Sequence, residues 1–209
     1  VSRTLVKICG VRDFATVEVC IDAGAQFVGV VLVPASPRCV TPAEARALAL
    51  EIADLGAMPV AVIRLPVDVE TASALEAFPI LQFHGDETPD ALAPYRAWEC
   101  WKGLHFSPAA THEWLASGRA TRLVVDGPVA GSGVSFDHAA FGELSSDVRA
   151  KCFLAGGLDA QNVAGAIHTA KPAGVDVSSG VEKSRGVKDH EKIRRFIEAV
   201  HMTDRASNA

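Results

Sequence analysis

The sequence predicts an α/β protein built as a single (β/α)8, or TIM, barrel, and three observations carry that prediction. Short β-branched runs alternate with longer amphipathic stretches along the whole chain. Eight such units fit into the 209 residues at roughly 26 residues each, and eight parallel βα units are the number that closes a barrel. A doubly wound open sheet has fewer strands, and no GxGxxG follows the first strand.

The elements follow in order. Leu5-Val6-Lys7-Ile8 reads as the first strand, and residues 13–23 as a helix closed by Gly24. Residues 26–33 form the second strand, nearly all apolar, as a parallel strand covered on both faces requires. Thr41-Pro42-Ala43-Glu44 opens a helix with a cap, a first-turn Pro and the Glu of a capping box. The third strand is 59–65, with a helix over about 68–77. The fourth is 79–83, with a helix over about 89–97. The fifth is 99–104, and Ser107-Pro108 starts its helix. The sixth is 121–125, followed by a Gly-rich loop and a helix from Phe136. The seventh is 151–155 with a helix over 160–170, and the eighth is 174–177 with a last helix from about Lys188 to His201. No linker divides residues 1–209 into separate domains; a polar tail starts at about residue 203.

Composition narrows the class. Hydrophobic residues make up 49% and charged residues 22%, as in an ordinary globular protein. The longest apolar run, 27–35, falls short of the roughly 18 residues of a membrane span. The start, Val1-Ser2-Arg3-Thr4-Leu5, lacks the apolar core of a signal peptide, and the missing initiator Met points to processing, trimming or an unusual start of numbering. A net charge of −5 argues against a general nucleic-acid binder. The five cysteines are scattered and include no CxxC, so a cytoplasmic, reducing compartment is expected rather than a disulfide framework or a zinc-thiolate site.

A barrel of this kind does its chemistry where strands run into the following loops, so the polar residues ending the strands matter most. They are Cys9, Arg38, His84, Asp126, the pair Gly156-Gly157, and Asp176 followed by Ser178-Ser179-Gly180. Glycine turns let backbone N–H groups approach an anion, and turns after strands seven and eight point to a barrel of the phosphate-binding type. Cys9 is either a small buried hydrophobe or a thiol at the mouth, a role that needs local positive potential. Cys20, Cys100 and Cys152 read as core residues, and Cys39 stays undecided. Asp126 is either a loop cap or a general acid kept protonated by a dry site. Asp176 either acts similarly or caps the serine turn. Arg38 suits bidentate carboxylate recognition or simple solvation, and His84 leans toward a hydrogen-bonded scaffold role. No HxH or HExxH pair supports a metal site.

The segment Lys7-Ile8-Cys9-Gly10-Val11 resembles the opening of the phosphoribosylanthranilate isomerase family of tryptophan biosynthesis. Ser36-Pro37-Arg38, Gln82-Phe83-His84-Gly85-Asp86-Glu87, Gly131-Ser132-Gly133 with Phe136-Asp137, Ala155-Gly156-Gly157-Leu158 with Asn162-Val163, and the run Val175 to Glu182 with Gly186 and Lys188-Asp189 agree in order. The likeness spans Lys7 to about Ile197. It implies an Amadori rearrangement of the small-molecule substrate phosphoribosylanthranilate, with no cofactor and no metal. It further implies Cys9 as general base, Asp126 as general acid, and Arg38 as the grip on the anthranilate carboxylate. The Gly156, Gly157, Ser178, Ser179 and Gly180 turns match the phosphate grip, with His84 and Asp176 as possible supports. Three features depart from the usual pattern: Phe83 stands where Leu is usual, His138 where Trp is common, and Val28-Gly29-Val30-Val31-Leu32 of the second strand where aromatic residues are more usual, which implies a differently shaped anthranilate pocket.

No nucleic acid or membrane partner is expected, and a monomer is the default, with a homodimer as the alternative. Other readings make different demands. A metal-dependent sugar-phosphate epimerase needs more His and carboxylate ligands at the strand ends. A barrel joining histidine and tryptophan synthesis would pair two aspartates, against Cys9. A non-catalytic phosphate-sugar binder would have lost Cys9 or Asp126, and both are present.

Overall fold

The structure is a computed structural model that describes residues 3–127 and 137–207. Eight parallel strands close into a barrel: β1 (Leu5–Cys9), β2 (Phe27–Val31), β3 (Met58–Ile63), β4 (Ile80–Phe83), β5 (Glu99–His105), β6 (Arg122–Asp126), β7 (Cys152–Leu154) and β8 (Gly174–Val177). Closure comes from β8 pairing with β1, which sets Leu5 opposite Gly174 and Lys7 opposite Asp176.

Local chemistry explains where the helices start and stop. Asp13 caps α1 (Phe14–Ala23) by accepting from the Thr16 amide, and Gly24 ends it in the left-handed region at φ 106°. Thr41 and Glu44 form the expected capping box of α2 (Pro42–Asp54). The stretch after β3 is α3 (Val69–Ala74) continued by a 3-10 turn at Leu75–Ala77. α4 is Pro108–Ala116, capped by Ser107.

Four stretches differ from the sequence expectation. Residues expected as a helix after β4 form a 3-10 helix, Pro89–Tyr95, because Pro94 lies inside it and lacks a backbone N–H. The helix expected from Phe136 is two short ones, α5 (His138–Gly142) and α6 (Ser146–Arg149); Phe136, with Gly131, Ser132 and Gly133, lies outside the described residues. α7 starts at Val163, later than expected, and ends at Ala170. Ahead of it Asp159 accepts from the Gln161 and Asn162 amides, while Asn162 accepts from the Asp159 amide, so these side chains build a turn instead. Finally, β8 leads through a 3-10 turn, Ser179–Val181, into a hairpin of β9 (Glu182–Ser184) and β10 (Val187–Lys188) before α8 (His190–Ser207). α8 therefore runs past His201 through the polar end. Asp204 holds it to the start of β1 by accepting from the Thr4 amide and hydroxyl at 2.9 and 2.7 Å.

Period two along the strands divides the core. One set of alternating residues faces outward toward the helices, and Val6, Ile8, Val28 and Val30 of this set share one buried core with Phe196 and Val200 of α8. The other set fills the barrel. Its lower end is closed by Phe27, Trp101 and Phe153, with ring centroids 5.0 to 5.5 Å apart in edge and tilted contacts. Gly174 leaves room for this floor, since a Cβ there would lie 2.5 Å from the Phe153 ring. Above the floor the interior turns polar, with Lys7, Gln82 and Asp176 buried beneath the mouth.

Candidate active site

A cavity of about 430 Å³ opens at the ends of the strands, and every residue singled out from the sequence lines it. Cys9 and Asp126 end β1 and β6. His84 follows β4, and Arg38 comes from the loop after β2. Gly156 and Gly157 follow β7; Asp176 belongs to β8, and Ser178, Ser179 and Gly180 follow it. The polar residues at the strand ends thus converge on one mouth, the face on which barrel enzymes of this architecture act.

The two glycine turns interlock. Gly156 and Gly157 are both left-handed, at φ 84° and 66°. A Cβ on Gly156 would lie 2.5 Å from the Gly127 amide nitrogen, and one on Gly180 would lie 1.8 Å from the Leu158 carbonyl oxygen. Only glycine lets these backbones meet, and Asn162 braces the first turn by donating to the Gly157 carbonyl at 2.9 Å.

Arg38 and Glu182 form the second built feature. Arg38 donates from Nε and Nη2 to the two carboxylate oxygens of Glu182, at 2.6 and 3.0 Å. Glu182 also accepts from Lys188 Nζ at 3.0 Å and the Gly186 amide at 3.1 Å. Burial alone would raise the Glu182 pKa, but the Arg38, Gly186 and Lys188 donors bring it down to about 2. Gly10 makes room for the arginine, since a Cβ there would lie 2.4 Å from Arg38 Cδ. With the Nε/Nη2 edge of the guanidinium taken by Glu182, its Nη1/Nη2 edge is the one available to a second carboxylate.

This arrangement has a consequence for stability. A carboxyl whose folded pKa is depressed to about 2 contributes stability that is present above its unfolded value and lost as pH falls toward 2. Between pH 5 and 2.5 the protein is therefore expected to lose denaturant resistance, and Glu182→Gln is expected to lose less over the same interval. Urea midpoints of both proteins across that range check this, and an identical acid dependence in the two would overturn the assignment.

Asp126 has the opposite electrostatics. Burial, then the charge of Asp176, raises its pKa to about 6. His84 Nε2 stands 3.7 Å from Asp126 Oδ2, too long for a hydrogen bond. Burial also lowers the His84 pKa, so its imidazole is neutral near pH 7 and adds no positive charge to hold the aspartate ionised. Gly103 provides the space for that imidazole: a Cβ there would lie 2.1 Å from His84 Nδ1.

Cys9 is nearly buried, packed among Val31 and Val62, and its carbonyl accepts from Ser178 Oγ at 3.0 Å. Burial raises its pKa; Lys7 and Lys188 pull it down and Asp176 pushes it up, leaving it above the ordinary thiol value. Lys7, beneath it, donates to Asp176 Oδ1 at 2.8 Å. Burial works against the Lys7 charge, but Asp176 and then Cys9 outweigh it, so its pKa stands above the ordinary lysine value.

Lys7, Glu182, Lys188, Gln82 and Arg64 were not singled out by the sequence reading as site residues. Gln82 and Arg64 line the cavity, while the others lie behind its lining. Period two did carry a signal for Lys7, which shares a strand face with Cys9 inside an otherwise apolar run. Among the described residues no group of three or more His, Cys, Asp or Glu side chains could hold a metal ion.

The family model for N-(5′-phosphoribosyl)anthranilate isomerase matches residues 6–199, from inside β1 to α8. The chain belongs to the phosphoribosylanthranilate isomerase family. A family member from Pseudomonas savastanoi pv. phaseolicola, N-(5′-phosphoribosyl)anthranilate isomerase, is 38% identical over 94% of this chain and 97% of its own length. TrpF from Jonesia denitrificans is 32% identical, with a TM-score of 0.79 over 96% of this chain and 98% of that one. A phosphoribosylanthranilate isomerase solved in complex with reduced 1-(o-carboxyphenylamino)-1-deoxyribulose 5-phosphate gives the same TM-score at 27% identity, over 95% of this chain and 99% of that one. The match covers both the barrel and the loops that carry the mouth of the family fold.

Proposed function

We propose that this chain converts N-(5′-phosphoribosyl)anthranilate to 1-(2-carboxyphenylamino)-1-deoxyribulose 5-phosphate in tryptophan biosynthesis, by an Amadori rearrangement under general acid–base catalysis. The observation that carries the roles is the pairing, in one cavity, of a carboxyl with a pKa of about 6 and a thiol beside a buried ammonium. The complex of a relative with a reduced form of that product supports the choice of small-molecule substrate.

Asp126, protonated, donates to the furanose ring oxygen; the C1′–O bond breaks and the nitrogen lone pair forms a protonated imine. The imine acidifies the adjacent C2′–H, and the Cys9 thiolate removes that proton to give an enolamine. Tautomerisation to the ketone completes the isomerisation, with no net gain or loss of electrons. The Gly156-Gly157 and Ser178-Ser179-Gly180 turns take the phosphate, and the free edge of Arg38 takes the anthranilate carboxylate. Two anionic ends held this way fix the direction of the substrate across the mouth. Asp176 supports the acid by its charge, and His84 flanks it.

We further propose that the protein is a cytoplasmic monomer. All five cysteines are free, and no helix among the described residues is long and apolar enough to cross a membrane. The large exposed hydrophobic residues belong to separate elements, among them Leu50 of α2, Val69 of α3 and Met202 of α8.

The test is turnover of phosphoribosylanthranilate generated in situ and followed by loss of its fluorescence. The protein is expected to be active, and Arg38→Ala is expected to raise KM about thirtyfold with a smaller effect on kcat, roughly 2 kcal/mol of binding. An inactive but folded protein would overturn the substrate assignment. An unchanged KM would remove Arg38 from the carboxylate grip.

A further inference from the structure

Lys7 is fully buried inside the barrel, two residues before Cys9 on the same strand face. A lysine is placed there at high cost unless its charge is used, because burial strips the ammonium of water. Its neighbours are set by strand register. Asp176 is its partner on β8 and takes its Nζ at 2.8 Å. On the other side β2 presents Gly29, directly across from Cys9. The position that a Cβ on Gly29 would occupy lies 2.9 Å from Cys9 Sγ and 3.1 Å from Lys7 Nζ. The sulfur and the ammonium thus converge on the space left by one missing side chain.

We infer that Lys7 is a positioning residue whose ammonium, pinned by Asp176 beside the Gly29 gap, is the counter-cation of the Cys9 thiolate. The inference rests on Cys9 acting as the base.

The charged groups bearing on Cys9 are Lys7 of β1, Asp176 of β8 and Lys188 of β10; β2 and β3 face it with Gly29, Val31 and Val62. Lys188 is the less available cation. Its three N–H bonds are matched by three acceptors: the Ser178 carbonyl at 2.8 Å, Glu182 Oε1 at 3.0 Å and Ser178 Oγ at 3.2 Å. Lys7 gives one hydrogen bond, to Asp176, and its Nζ borders the same Gly29 gap as the Cys9 sulfur. Asp176 has a double part: it keeps Lys7 charged, and its own negative charge raises the pKa of Asp126. One ion pair beneath the mouth thereby favours a thiolate at β1 and a protonated acid at β6.

The experiment reads the thiol directly. Iodoacetamide alkylation of Cys9 is followed by peptide mass spectrometry between pH 6 and 9, with the half-buried Cys39 of the same chain as internal reference. Lys7→Met is expected to slow Cys9 alkylation by at least about tenfold at pH 8 while Cys39 is unchanged, the fold-change of a thiol pKa raised by about one unit. kcat is expected to fall by a similar factor with little change in KM. Lys7→Met leaves Asp176 buried without its partner, so Lys7→Met/Asp176→Asn serves if the single variant does not fold; Lys7 bears on the sulfur more than Asp176 does, so removing both charges is again expected to slow Cys9 alkylation, by a smaller factor. Unchanged alkylation of Cys9 in a folded variant overturns the inference. Full activity in Cys9→Ala overturns instead the reading of Cys9 as base, whatever the alkylation rates show.

Discussion

Cys9→Ala is expected to lower kcat/KM by at least about a thousandfold, roughly 4 kcal/mol of transition-state stabilisation. The rearrangement stalls at the protonated imine unless a base removes the C2′ proton, and Ala supplies none. Cys9→Ser is expected to fare no better, because a serine hydroxyl ionises far less readily than a thiol. The fold survives either change: Cys9 packs against Val31 and Val62 at the rim of the barrel, and the lost sulfur costs about 1 kcal/mol. Comparing thermal midpoints alongside turnover separates chemistry from misfolding. Activity that persists in a folded Cys9→Ala protein sinks the thiolate mechanism and moves the base to Asp176, the other carboxylate lining the cavity beside Cys9 and Asp126.

A buried thiol with a raised pKa is a poor base at rest, and the imine helps to resolve this. Ring opening creates a cation next to C2′ and leaves Asp126 ionised, so positive charge arrives near the sulfur at the step that needs the thiolate. Lys7 supplies a permanent share of that field and the intermediate supplies a transient one. The thiolate is then formed on a buried sulfur, where solvent screens the charges that support it less than at the surface.

The fold and the lining of the site were legible because both depend on local chemistry. Asp13 and Gly24 bracket α1, Thr41 and Glu44 start α2, and polar residues stand where apolar strands stop. The second layer of the site was not legible, because it depends on closure. Lys7 meets Asp176 only when β8 pairs with β1, and Arg38 meets Glu182 across 144 positions of sequence. Period two indicates that Lys7 faces inward, but nothing local names its partner. The hairpin that carries Glu182 and Lys188 was missed for a different reason. Its strands have three and two residues, too short to register as an apolar alternation, and only Gly186, left-handed at φ 81°, marks the turn.

Asp126→Asn is expected to lower kcat/KM by at least about a thousandfold and, in the same protein, to raise stability. An ordinary aspartic acid with a pKa near 3.8 keeps its proton in about one molecule in 1,600 at pH 7, whereas a pKa of about 6 keeps it in about one in ten. Burial and Asp176 thus enlarge the pool of acid by more than a hundredfold, and Asn abolishes it. The same raised pKa carries a folding penalty: ionising Asp126 costs nothing below its unfolded pKa, and the cost is complete above about pH 6. Removing the charge at pH 8 is therefore expected to stabilise the barrel by about 1–3 kcal/mol, an effect opposite in sign to most losses of function by misfolding. The pH profile makes the sharper test. With the acid near 6 and the base above the ordinary thiol value, the competent form, with protonated Asp126 and ionised Cys9, is a constant minor fraction between the two pKa values. The parent kcat/KM is thus expected to rise up to about pH 6 and then hold level. The residual activity of Asp126→Asn depends on Cys9 alone and is expected to keep rising about tenfold per pH unit through that window. A variant profile that breaks at pH 6 like the parent's would show that the break belongs to another group and that Asp126 is not the acid.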